Sequence, residues 1–205
     1  LALKGEADPE LTQNHLAQLA GQVHALGIRR VEGDLIIDEG PYSDPPYGPG
    51  WAWDDAGEEY SPEVSGLAVD GGVVQTPAGF EAPWLITVEA EDPAIRLIPG
   101  REGVVARGAL PDHIAPPRSS ERTGELFRQQ LQRRGIQVRG AVRLGQADGR
   151  EIAAHQSRPL GEILLRALEV SDNLAMELIY RSSGQALPKA LEGARLRRAD
   201  GSGLS

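Results

Sequence analysis

Pro159-Leu-Gly-Glu-Ile-Leu-Leu-Arg-Ala-Leu-Glu-Val170, then Ser171-Asp172-Asn173, then Leu174-Ala-Met-Glu-Leu-Ile-Tyr180, reads as helix, interruption, helix. Leu160, Ile163, Leu164, Ala167 and Leu168 fall on one face at helical spacing. The polar tripeptide breaks that periodicity, and Leu174 to Tyr180 resumes it. Placed between two rigid elements, Ser171 and Asn173 can present a hydroxyl and a carboxamide into a cleft. Acyl transfer needs such groups: a serine nucleophile requires a base and a relay that carries its proton to the leaving amine. The tripeptide alone is a weak signal. An S-x-N is expected about once by chance in a chain of this length, and Ser-Asp-Asn is also a good helix N-cap.

Upstream of this stretch the pattern alternates helix and strand. Asp8-Pro9 marks a turn, and Thr12 is placed to cap a helix carrying Leu16, Leu19, Ala20, Val23 and Leu26, closed by Gly27. Ile28 to Ile37 turns β-like, with Gly33-Asp34 interrupting it. Pro45, Pro46 and Pro49 exclude regular structure between Pro41 and Gly50, since each proline lacks a backbone donor. Leu67-Ala68-Val69 and Val73-Val74, separated by Asp70-Gly71-Gly72, predict a hairpin. Trp84 to Val88, Ile95 to Ile98 and Gly103 to Ala106 are further strand candidates. A second helix is predicted over 123–134, burying Leu126, Phe127 and Leu131, with Gly135-Ile136 and a strand through Val138 and Val142 behind it. This order repeats the first unit: helix, Gly-Ile, strand, glycine (Gly33, Gly140), strand. Ordinary C-cap chemistry shared by two αβ units is the simpler account, and a true internal repeat is the other.

Composition narrows the function classes. The chain has 205 residues, enough to bury a core in one or two domains. A net charge of -9, with no gathered basic face, argues against a nucleic-acid partner. The absence of cysteine excludes disulfides and thiolate metal sites. No apolar run approaches the ~18 residues of a membrane-spanning helix. Leu1-Ala2-Leu3 is followed at once by charges, so any export signal is expected upstream. His15, His24, His113 and His155 show no metal-ligand spacing.

Four segments in order resemble one family. His155-Gln-Ser-Arg-Pro-Leu leading into Ser171-Asp-Asn-Leu-Ala-Met-Glu-Leu, Asp200-Gly-Ser-Gly-Leu-Ser205, Gly50-Trp-Ala-Trp-Asp-Asp55 with Tyr60-Ser-Pro62, and Asp8-Pro9-x-Leu11 together resemble the low-molecular-mass class C penicillin-binding proteins. These are D-Ala-D-Ala carboxypeptidases and endopeptidases. Ala7 stands where that family usually has glycine. S-D-N is the second of three motifs in penicillin-recognising enzymes, after S-x-x-K and before K-T-G. No serine here is followed three residues later by lysine, and no Lys-Thr-Gly occurs. The resemblance places both outside this chain.

The resemblance implies an α/β (α+β) fold: a transpeptidase/β-lactamase-like catalytic domain carrying a long αβ and β-rich insertion. Residues 1–154 would be inserted, with αβ units over 1–80 and 118–150 flanking a β-rich part over 81–117, and 155–205 would rejoin the catalytic domain. It implies catalytic roles for Ser171 and Asn173. It also implies substrate contacts at Trp53, Asp55 and Tyr60, with Asp55 facing the free amine of the stem peptide's diamino acid. A solvated acidic cluster (Asp54, Asp55, Glu58, Glu59) is the plain alternative. Peptidoglycan stem peptides and β-lactams are the expected partners, with no metal or organic cofactor and no nucleic acid. An extracytoplasmic location follows, with peripheral membrane association and homo-oligomerisation left open. The rival is a non-catalytic wall-binding or scaffold protein on the same fold.

Overall fold

The computed structural model describes residues 1–52, 55–75 and 113–184. Within them β1 (Ala2–Lys4), β3 (Leu35–Asp38) and β7 (Val142–Leu144) form a parallel sheet with β3 in the centre. Leu35 and Ile37 on β3 are fully buried. Helices α1 (Gln13–Ala25) and α2 (Ser119–Arg133) pack together, and α2 lies against β3 and β7. Gly124 permits that seat, because a Cβ there would come within 2.6 Å of Ile37 and Val142. Leu16, Leu19, Val23, Phe127, Leu131 and Ile136 close the core from the helix side.

The two αβ units lie side by side and in phase. β2 (Arg30–Val31) pairs in parallel with β6 (Gln137–Val138), as β3 does with β7. Arg30 faces Gln137, Leu35 faces Val142, and the Gly140 N–H donates to Gly33 O. Each of these pairs is 107 positions apart (30 to 137, 33 to 140, 35 to 142). Gly27 and Gly135 both end their helices with positive φ, 82° and 76°. The shared helix–Gly–Ile–strand pattern therefore places equivalent strands against each other.

Several local expectations hold. Thr12 caps α1, and the ring of His15 closes a reciprocal box by accepting the Thr12 N–H. α3 (Leu160–Val170) and α4 (Asn173–Ser182) flank a break at Ser171-Asp172, with Asn173 already the first residue of α4.

The hairpin expectation fails. Val74–Gln75 (β4) pairs antiparallel with His113–Ile114 (β5), and Val69–Gly72 forms a short 3₁₀ turn. The reason lies on α2: Thr123 Oγ1 donates to Leu67 O at 2.7 Å and accepts the Val69 N–H at 3.3 Å. A side chain thus satisfies the backbone that a hairpin partner would otherwise have paired.

α2 also starts four residues earlier than its periodicity indicates, at Ser119 rather than Thr123. Glu63 caps it from a distance, its Oε2 accepting N–H bonds from Arg118 and Ser119. On α3 only Ile163 and Ala167 of the predicted face are buried, and Leu160 and Leu168 are exposed. Leu26 is exposed at the end of α1. The strand candidates over 84–88, 95–98 and 103–106 lie outside the described residues. Among those residues no helix is long and apolar enough to cross a membrane.

Candidate active site

The break between α3 and α4 is built by two opposite capping devices. Ser171 ends α3 in the left-handed region (φ 55°, ψ 49°), and the Asp172 N–H returns to Ala167 O at 2.9 Å. Asp172 is extended and caps α4, its Oδ1 accepting the Ala175 N–H at 2.9 Å. The local chemistry that ends one helix and starts the next leaves Ser171 exposed and Asn173 half-buried on the first turn of α4. A non-glycine residue in the left-handed region is strained, and such strain concentrates at functional sites.

Asn173 reaches the loop that the sequence singled out. Its Nδ2 donates to Tyr60 O at 2.9 Å, which leaves the carboxamide oxygen as an acceptor. The Tyr60 hydroxyl donates to Asp55 Oδ1 at 2.8 Å. Asp55 and Tyr60, five residues apart, and Asn173, 113 positions beyond Tyr60, thus form one connected group. The loop is fixed by its own turns, Asp55 N to Ala52 O and Glu58 N to Asp55 O. Glu59 of the acidic cluster lies 3.5 Å from His113 Nδ1. Trp53, the Asp200–Ser205 segment and Asp54 fall outside the described residues.

α4 is anchored to this loop region by a second, smaller core. Leu174 and Leu178 pack with Trp51, Val64 and Ala68, all buried. Beside them Tyr47 is held far above the ordinary phenol range by burial, with the Glu63 charge adding to the shift.

Beside α3 and the start of α4 a cleft of about 510 Å³ is lined by Asp8, His15, Asp70, His155, Arg166 and Asp172, among others. Here the histidines, which showed no pattern in sequence, meet. The His15 and His155 rings stack at 3.9 Å and 18°, and His155 Nε2 lies 3.2 Å from Asp8 Oδ2. That approach has ion-pair distance without hydrogen-bond alignment, so Asp8 Oδ2 is buried without a hydrogen-bond partner among the described residues. Donor atoms of Asp8, His15 and His155 lie within 4.8 Å of one another. His15 already uses its Nδ1 lone pair on the Thr12 N–H, which places the proton of the neutral ring on Nε2. Neither nitrogen is then free to ligate an ion without breaking the cap. Glu10, beside this group, is held below the usual carboxylate range first by its hydrogen bond to Arg158.

Sequence reading missed two residues next to the site. Glu177 is 2% exposed in its side chain, and Arg181 Nε donates to it at 2.8 Å. Their i,i+4 spacing on a helix is a signal, but it does not reveal burial.

A family model described as the D-Ala-D-Ala carboxypeptidase 3 (S13) family matches residues 1–83 and 89–196. The D-alanyl-D-alanine carboxypeptidase of Actinomadura sp. (strain R39) is 28% identical over 263 residues, covering 100% of this chain and 49% of that protein. The D-alanyl-D-alanine carboxypeptidase DacB of Haemophilus influenzae is 24% identical over 217 residues, covering 89% of the chain and 45% of the relative. The carboxypeptidase DacB of Mycolicibacterium smegmatis is 30% identical over 182 residues, covering 87% and 32%. In fold, the chain superposes over its whole length on 56% of penicillin-binding protein 4 from H. influenzae, with a TM-score of 0.76 at 23% identity. A second structure of that protein, complexed with a β-lactam, matches with a TM-score of 0.64 at 19% identity. The chain spans about half the length of the first two curated relatives.

Proposed function

The chain belongs to the D-Ala-D-Ala carboxypeptidase 3 (S13) family, and from that premise we infer that the intact protein is a serine-type D-Ala-D-Ala carboxypeptidase and endopeptidase. Its substrates are peptidoglycan stem peptides, and its location is extracytoplasmic. The nucleophile and its base belong to a Ser-x-x-Lys motif outside this chain. That serine attacks the penultimate D-Ala carbonyl, the terminal amine leaves, and water releases the acyl group. Ser171 relays the proton to the leaving amine, and Asn173 Oδ1 accepts a substrate amide N–H. β-Lactams are attacked in the same way and hold the enzyme as a stable acyl adduct. In this reading residues 155–205 rejoin the catalytic domain, and 1–154 are an insertion that presents Asp55, Tyr60 and Trp53 to the stem peptide.

The observation that carries the reading is the Asn173–Tyr60–Asp55 connection. It ties the Ser-Asp-Asn element to the loop that the family resemblance links to the substrate's amine. The test is covalent labelling with a fluorescent penicillin. Full-length protein is expected to label, and Asn173→Ala is expected to slow acylation by ~10²-fold or more, the scale of removing a positioned polar group from an acyl-transfer site. A full-length protein that never labels is the scaffold alternative. A fully active Asn173→Ala variant reduces Ser-Asp-Asn to a helix cap.

Specificity gives a second check. Asp55→Asn is expected to lower kcat/KM roughly 10- to 150-fold for peptides with a free side-chain amine, the worth of one charged hydrogen bond. The N-acetylated peptide should be nearly unaffected. Equal losses on both peptides would make Asp55 structural.

A further inference from the structure

The stretch leading into the loop that carries Asp55 is held by an arginine outside every motif. Prolines at 45, 46 and 49 deny the stretch from Pro41 to Gly50 a strand ladder, so its carbonyls need other donors. Arg181 supplies them. Its Nη1 donates to Tyr42 O at 2.5 Å and Pro45 O at 2.6 Å, and its Nη2 donates to Tyr47 O at 3.2 Å. Its Nε donates to Glu177, whose second carboxylate oxygen is buried without a hydrogen-bond partner among the described residues. A buried ion pair with one oxygen unmet is a poor source of stability. Its value is geometric: one planar guanidinium fixes three carbonyls and a carboxylate at once, four acceptors where an ammonium has three donors.

Both ends of α4 therefore grip the same region. Asn173, on the first turn, holds Tyr60 O, and Arg181, about 12 Å further along the axis at 1.5 Å per residue, holds 42–47. Trp51, between the two grips, packs on Leu174 and Leu178, and the Val64 N–H donates to Pro46 O at 2.7 Å. We propose that Arg181, charge-balanced by Glu177, is a positioning residue that sets discrimination for the substrate's free amine by fixing the loop bearing Asp55 relative to Asn173. This rests on the function proposed above, and it adds a residue that touches neither substrate nor nucleophile.

The test uses full-length protein with Arg181→Met, Arg181→Lys and Glu177→Gln. Hydrogen exchange in residues 41–52 and 55–66 should quicken by about tenfold or more in Arg181→Met, with α1 and α2 unchanged, as a local opening requires. The kcat/KM preference for amine-bearing over N-acetylated peptide should fall about tenfold, mostly through KM. Acylation by a β-lactam without an amine should change less than ~3-fold, because the reacting centre is untouched. Arg181→Lys should recover less than half of the preference, since an ammonium has three donors for these four acceptors and lacks the planar fork. Glu177→Gln keeps shape and an acceptor, so it carries the same test with an intermediate effect if Arg181→Met does not fold.

Unchanged exchange in the loop, exchange that rises throughout the molecule, or equal losses on both peptides would each overturn the proposal. Wild-type protein that is not acylated by penicillin would instead overturn the enzymatic reading, and the exchange experiment would still decide whether Arg181 fixes the loop.

Discussion

The sheet half and the helical half of this molecule are closed in different ways. Around β3 the apolar residues of α1 and α2 meet in one continuous core, and Leu16, Leu35, Ile37, Leu131 and Ile136 have no exposed surface. Around Ser-Asp-Asn, α3 buries only Ile163 and Ala167, while Leu160, Leu165, Leu168 and Val170 are each about 60% exposed. α4 is instead secured by specific partners: Leu174 and Leu178 in a five-residue core, and the polar grips of Asn173 and Arg181. The first half is held by bulk burial, which tolerates small shifts. The second is held by directional contacts, which fix where a few side chains point. A site that must place a carboxamide against a substrate belongs on the second kind of scaffold.

The sharpest way to break this contrast is paired truncation. Leu131→Ala is expected to cost ~2–5 kcal/mol in denaturant unfolding, the range for a leucine deleted from a closed core. Leu165→Ala, at an exposed position, should stay within ~0.5 kcal/mol. A loss at Leu165 matching that at Leu131 would mean that the apolar face of α3 is covered in solution. The two halves would then be equally closed.

A smaller effect is expected at the break itself. Ser171 holds a left-handed backbone that glycine adopts freely, whereas its hydroxyl is what the proposed relay needs. Ser171→Gly and Ser171→Ala both remove the hydroxyl, but only alanine keeps the strain. The glycine variant should therefore be the more stable by ~1 kcal/mol, with acylation impaired in both. Equal stabilities would show that Ser171 leaves the left-handed region in solution. They would also remove strain from the account of the site.

What is legible in the sequence is local. Thr12 as a helix cap, Gly27 and Gly135 as helix stops, and the helix–break–helix around Ser171-Asp172 all involve bonds between near neighbours, whereas the His15 half of the Thr12 box emerges only in the structure. What was illegible came from a distant side chain. Thr123 occupies the backbone of Leu67 and Val69 and so prevents the hairpin, and Glu63 starts α2 ahead of its periodicity. The stacking of His15 on His155 has no sequence signal, since neither residue has a ligand-spaced neighbour. Asn173 stands out at the break between two helices, whereas Asp55 and Tyr60 are singled out only by family resemblance. Their contacts through a backbone carbonyl and a phenol hydroxyl are visible only in three dimensions. Arg181 carries no sequence signal for its contacts because its partners are carbonyls, which a sequence does not distinguish.

The last comparison is between the two helix starts. α4 is capped by Asp172 immediately before it, through the Ala175 N–H. α2 is capped by Glu63 from across the fold, and burial raises that carboxyl above its ordinary value despite the N–H bonds from Ser119 and Arg118. An acid whose folded pKa is raised binds more protons folded than unfolded between the ordinary value, ~4.3, and the raised one. Its effect on stability is therefore most favourable below the ordinary value. It declines as pH rises through that window, and is flat above it. Glu63→Gln keeps an oxygen to accept the same two N–H bonds but cannot ionise. The stability of Glu63→Gln relative to wild type should therefore improve as pH rises from about 4 through the raised value and then level off, as the wild-type carboxyl takes on its charge. Thermal melts of the two proteins at matched pH measure this directly. A difference that stays level across the range would mean that Glu63 ionises as easily in the fold as in the open chain. The remote cap would then be as inexpensive as the local one, and the contrast between the two helix starts would rest on distance in sequence alone.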